Sequence, residues 1–138
     1  MHAFKVNIAE LMTIRLQSSS FLVINEDKIF EGGNLKVTCE LTLADDEVTN
    51  GPIEGDCIVS VLAQENENSD VNLFEYNYEY VAFFNITDAE LFSELDNHQR
   101  ADYCLEKIYP IIREDMMSCF DRAGLRQIHI PYNFKNID

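Results

Sequence analysis

The sequence predicts an α+β domain: a four-stranded antiparallel sheet followed by a long C-terminal helix, in a single unit spanning residues 1–138. Three observations carry this reading. Apolar and polar residues alternate with period two in four separate stretches. The spacing turns helical after Thr87 and, past a polar break, again from about Ala101 up to Gly124. A chain of 138 residues that is 46% hydrophobic can also fill one core, whatever its charge.

The first alternating stretch is 4–17. Phe4, Val6, Ile8, Met12, Ile14 and Leu16 fall on one face, and Glu10–Leu11 break the rhythm, which predicts a bulge or bend there. Residues 18–33 hold a serine run, the apolar patch Phe21–Ile24, and Gly32–Gly33; they read as a long connection between strands. The second strand, 34–43, sets Leu35, Val37, Cys39, Leu41 and Leu43 against Lys36, Thr38, Glu40 and Thr42. Turn chemistry follows at Asp45–Asp46 and Asn50-Gly51-Pro52. A third strand covers 57–64, then a polar loop from Gln64 to Asp70. The fourth, 71–86, aligns Phe74, Tyr76, Tyr78, Tyr80, Ala82, Phe84 and Ile86 on one face.

Thr87-Asp88-Ala89-Glu90 reads as a capping box with Thr87 as the cap, opening a short helix to about Leu95. Asp96–Arg100 reads as a polar break. From Ala101 the apolar residues Leu105, Ile108, Ile112, Met116, Cys119, Phe120 and Ala123 keep helical spacing. Pro110 must open or kink this helix, and Gly124 suits its C′ position. The tail from Leu125 is expected to be extended, and Pro131 rules out a long central strand there.

Composition narrows the function. The formal charge of −15 repels phosphate backbones and argues against nucleic-acid binding; it suits basic partners or simply a solvated surface. Cys39, Cys57, Cys104 and Cys119 form no C-x-x-C pair and have no histidine at ligand spacing, so no metal site is expected. His2, His98 and His129 are scattered, and no Ser-His-Asp order or glycine-rich phosphate loop marks an enzyme or a cofactor. The expectation is therefore no catalytic residue and no cofactor. No apolar signal region or membrane-length segment is present, which points to a cytoplasmic protein with free thiols.

The stretch Tyr103 to Phe134 resembles the C-terminal part of the SecB family of export chaperones. The resemblance rests on Tyr103-Cys104, Tyr109-Pro110, Arg113-Glu114, Gly124, Pro131 and Asn133-Phe134, in that order. Upstream, Phe84-Asn85-Ile86 is similar to the end of the family's fourth strand, and Phe4-x-Val6 to the start of its first. It implies a non-enzymatic, cofactor-free homo-oligomer, a tetramer, that binds non-native polypeptide along apolar grooves. Export members use acidic residues on the outer sheet face to contact the zinc tail of the SecA motor. The matching positions here are the uncharged Thr13, Gln17 and Asn77, and the chain stops at Asp138, where export members continue into a second helix. Both departures favour a specialised relative, the chaperone of a toxin–antitoxin–chaperone system that protects an antitoxin. A general export chaperone delivering preproteins to the Sec translocase is the alternative. A carrier of a small hydrophobic ligand, using the space between sheet and helix, is an alternative of another class.

The aromatic stripe on the fourth strand has two readings, packing under the helix or against another subunit, and a client groove. Phe21, Leu22, Ile24, Phe74, Tyr76 and Tyr78 are the expected client-binding residues. Tyr80, Ile112, Met116, Met117 and Phe120 are the expected oligomer interface. Apolar residues Ile111, Ile112, Met116, Met117, Cys119 and Phe120 spread round more of the helix than one sheet covers, hence the expected assembly. Arg113 and Glu114 read as a salt bridge, exposed or between subunits.

Overall fold

A computed structural model describes residues 7–29, 32–44, 47–66 and 70–125, together with 128 and 130. Phe4, Val6, Asp45–Asp46, Pro131, Asn133–Phe134, His2 and His129 lie outside the described residues. The elements are β1 (Ala9–Val23), β2 (Asn34–Leu43), β3 (Gly51–Gln64), β4 (Asn72–Ile86), α1 (Ala89–Glu94) and α2 (Asn97–Arg122). The four strands form one antiparallel sheet in the order β1-β4-β3-β2, so β1 and β2 are its edges. The expected α+β architecture is the one observed.

β4 holds the centre. Its alternation puts Phe74, Tyr76, Tyr78, Tyr80, Ala82, Phe84 and Ile86 on the face covered by α2, all buried. Directly opposite them on β3 stand Ile53, Gly55, Cys57, Val59, Val61 and Ala63. Each large side chain so covered contributes about 1.5–3 kcal/mol of transfer free energy, which makes this the main source of stability. The helix supplies the other half of the core through Cys104, Leu105, Ile108, Tyr109, Ile112, Met116 and Phe120, one stripe at i, i+3 and i+4 spacing.

β1 corrects the expected boundaries. It runs on through Ser18–Ser20 to Val23, where a connection was expected, because Ser18 to Val23 pair with Glu79 to Phe74. The ladder outweighs the turn preference of serine. Bulges fall between Leu11 and Thr13 and between Leu16 and Ser18, leaving Met12 and Gln17 without a residue opposite. They shift the phase of the strand, so Met12, 63% exposed, and Leu16, 44% exposed, do not share the buried side with Ile8.

β3 begins at Gly51, six residues earlier than expected, with Gly51 at φ +131°. Pro52 is tolerated inside the strand for a physical reason. It pairs with Asn85 of β4, but β2 ends at Leu43, opposite Gly55, so β2 has no residue beside Pro52.

The helix starts also differ. Asp88, not Thr87, caps α1, accepting from the Leu91 N–H at 3.1 Å; the Thr87 hydroxyl donates to the Asn7 carbonyl. The expected polar break is the first turn of α2. Asp96 accepts from the Gln99 N–H at 2.8 Å and Gln99 returns a bond to the Asp96 N–H, a full capping box. Pro110 lies within the helix on its exposed side and gives no N–H to the ladder. At the other end Gly124 (φ +79°) donates to Asp121 O, and the Leu125 N–H reaches Phe120 O at 2.7 Å. This is a Schellman stop, and it turns buried Leu125 back against the core.

Candidate polypeptide-binding site

The two ends of the sheet–helix sandwich differ in chemistry. At one end α2 begins. The Tyr103 hydroxyl accepts from the Ile8 N–H at 3.0 Å and meets Asn7 Oδ1, which also receives a bond from Lys107 Nζ. Arg100 donates through Nε to Phe92 O and through Nη2 to Ser93 O, closing the last carbonyls of α1.

At the other end, where β1 finishes and α2 finishes, five aromatic rings meet. Phe21 stacks on Phe74 at 5.4 Å and lies edge-on to Tyr76 and Phe120 at 6.3 and 6.4 Å. Phe120 sits 5.5 Å from both Phe74 and Tyr76, and Tyr78 lies against Tyr76 at 3.8 Å. Phe21 is the half-buried member; the other four are buried. Beside the cluster Leu22, Val23 and Ile24 are exposed in sequence on the edge strand and just past it, with Leu22 at 58%.

A crevice of about 330 Å³ adjoins the cluster through Phe74, and Ile29, Gly33, Leu35, Leu73 and Ile128 also line it. The N–H groups of Ile24 and Asn25 both reach Leu73 O, which folds the chain after β1 over the start of β4. Gly33 permits the close approach on the other side. A Cβ there would stand 2.4 Å from Gln64 O and 2.8 Å from Leu73 Cδ1.

Of the expected client residues, Phe21, Phe74, Tyr76 and Tyr78 are thus together on the helix side. Leu22 stands opposite Glu75, on the outer face of the sheet, and Ile24 lies beyond the strand end. Of the expected interface residues, Tyr80, Ile112, Met116 and Phe120 are covered by the chain's own sheet and helix, whereas Met117 is 45% exposed. Arg113 donates to Ile130 O at 3.2 Å, tying the segment after the helix to α2. Sequence reasoning took Val23 only as a member of the Phe21–Ile24 patch, whereas it stands opposite Phe74, and it missed the crevice residues. Those come from several separate segments, and the Gly32–Gly33 pair was the one local sign of a close approach.

The hydroxyls and thiols of the core are kept neutral. Burial, then the hydrogen bond to Asp115 at 2.7 Å, holds the Tyr80 phenol above its ordinary range. Burial and contact with Cys119 raise Tyr78, with Arg122 opposing. Burial pushes the thiols of Cys39, Cys57 and Cys104 up to about 12, so they act as small apolar groups near neutral pH. Among the described residues no cluster of three metal-ligating side chains occurs, and no helix is long and apolar enough to cross a membrane.

An antiparallel sheet of four long strands followed by one long helix is the SecB-like fold. The chain superposes on the SecB-like chaperone Rv1957 of Mycobacterium tuberculosis, solved in complex with a ChAD peptide from the Rv1956 HigA1 antitoxin. The TM-score is 0.68 and the identity 18%, over 89% of this chain and 88% of that one. No family model matches the sequence, and no curated protein matches it.

Proposed function

We propose that the protein is a non-enzymatic chaperone that holds non-native polypeptide, and that its client is an antitoxin in a toxin–antitoxin–chaperone system. The observation that carries this reading is the exposed run Leu22–Ile24, at and just past the end of an edge strand, beside a half-open aromatic cluster and an apolar crevice. An extended client offers apolar side chains and main-chain groups in no fixed order, and such a surface meets both. A chaperone of the same fold is held in complex with an antitoxin peptide, which favours an antitoxin over general export clients. The charge of −15 speeds encounter with basic segments, while apolar contacts supply most of the affinity.

Phe21, Leu22 and Ile24 contact the client first, with the buried Phe74, Tyr76 and Tyr78 beneath them. The active form is a cytoplasmic homo-oligomer, a tetramer. Contact between copies falls to Met117 and Ile111 on α2 and to the exposed Met12 and Leu16 on β1. Binding to SecA-type zinc tails is weak, since Thr13, Gln17 and Asn77 carry no charge.

The test is client binding by Phe21→Ala, with fold and particle mass first shown unchanged, and by wild type at low and high salt. Truncating Phe21 is expected to weaken binding by about 1–2 kcal/mol. Undiminished binding by the variant would remove this site, and loss of all binding in high salt would make the interaction electrostatic. The crevice volume favours one second reading, a carrier of a small hydrophobe, which saturable binding of one such ligand without suppression of aggregation would establish.

A further inference from the structure

Three tyrosines follow one another along the buried face of β4, and their hydroxyls fare differently. Tyr80 donates to Asp115, and Tyr78 shares a hydrogen bond with Cys119. Tyr76, 0% exposed, has a hydroxyl with no hydrogen-bond partner among the described residues. Other rings pack on the Tyr76 ring, with centroids at 3.8 Å for Tyr78, 5.5 Å for Phe120 and 6.3 Å for Phe21. A phenylalanine would fill nearly the same space without the cost of desolvating a hydroxyl. A buried polar group left unmet in the free chain calls for a partner that arrives later.

We propose that the Tyr76 hydroxyl is a recognition group, donating a hydrogen bond to a main-chain carbonyl of a bound, extended polypeptide. This rests on the client site described under Proposed function and deepens it. The way in is Phe21. It stands directly opposite Tyr76 in the β1–β4 ladder and is the half-exposed ring of the cluster. It lies on an edge strand, with no further strand beyond it among the described residues. A change of its side-chain rotamer uncovers Tyr76 and Phe120 together. An apolar client side chain then replaces the ring contacts, and the neighbouring peptide carbonyl accepts from the hydroxyl. Every residue of an unfolded segment carries that carbonyl, except where it is already bonded in secondary structure. One such donor therefore selects for extended chain over folded protein without selecting a sequence.

Tyr76→Phe tests this, because it removes the hydroxyl and keeps the ring. The probe is fluorescently labelled lactalbumin, reduced and carbamidomethylated so that it stays unfolded, titrated with full-length wild type and variant. The variant is expected to bind about 5–10-fold more weakly, the worth of one hydrogen bond, while its urea midpoint is unchanged or higher. Equal affinity overturns the proposal. So does a lowered midpoint, whatever the affinity, since it would mean that a buried water already satisfies the hydroxyl. A changed particle mass by light scattering overturns it too, by assigning the hydroxyl to a contact between copies. If wild type itself fails to bind the probe, the chaperone reading fails; if wild type binds and the variant binds equally, only the role of Tyr76 fails.

Discussion

The end of the molecule where α2 begins and the end where it stops manage polar groups in opposite ways. At the first, Asp96, Gln99, Arg100, Tyr103 and Asn7 close backbone and side-chain groups in a connected set of bonds. At the second, five rings gather beside exposed Leu22, Val23 and Ile24, and a tyrosine hydroxyl is left unmet. Fully satisfied polar groups specify one arrangement, whereas rings packed on one another tolerate several. One end thus fixes the frame and the other keeps freedom for partners.

The largest expected effect comes from the frame. Phe92 is fully buried under Arg100, whose guanidinium lies 5.6 Å from the ring centroid. Phe92→Ala should cost about 3–5 kcal/mol in urea unfolding. Phe21→Ala, at the open end, should cost no more than about 1–2 kcal/mol because its ring is only half-buried. Equal losses for the two variants would erase the contrast.

Alkali provides the next test. Burial raises the thiols of Cys39, Cys57 and Cys104 from 9.0 to about 12, so the folded chain keeps protons that the unfolded chain releases. The stability tied to them is whole below pH 9 and is lost as pH climbs towards 12. A urea midpoint that holds steady from pH 8 to pH 11 would contradict this. Cys57→Ala should flatten the fall.

Smaller effects separate the ends further. Arg100→Met should cost about 1–2 kcal/mol by leaving the Phe92 and Ser93 carbonyls without their donor. Gly124→Ala should cost about 1 kcal/mol from the positive φ alone, since nothing lies within 4 Å of an added Cβ. The first change should leave client binding as it is. The second should weaken it, because the directions of Leu125 and of the crevice residue Ile128 depend on that turn. The same affinity loss from both would mean that the ends are not independent.

Much of this frame was legible in the sequence. The alternation of Leu35 to Leu43 and of Phe74 to Ile86 placed two strands to within a residue, even though β4 also buries Leu73 and Val81 on its second face. Ser18–Ser20 misled because pairing with β4, invisible locally, overrides what serine prefers alone. Asp96–Arg100 misled for the opposite reason. A helix start is polar by nature, so its first turn reads like a break until the Asp96–Gln99 pair is recognised. The candidate site was legible in part. The tyrosine stripe announced itself by spacing, but which of its hydroxyls lacks a partner depends on Asp115 and Cys119, whose facing positions come from α2 crossing the sheet.

The turn at Gly124 also sets an angular phase. Leu125 is aimed at the core, and Ile128 at the crevice, by the direction in which α2 happens to be pointing when it stops. One residue inserted ahead of Gly124 would swing Leu125 and Ile128 by about 100°, carrying one wall of the crevice out of register with Phe74. A whole added turn of about four residues would nearly restore the direction and lift the wall by about 5–6 Å instead. The length of the helix is therefore a dial as well as a support: a change in where it ends would reshape the crevice without altering a single residue of the sheet.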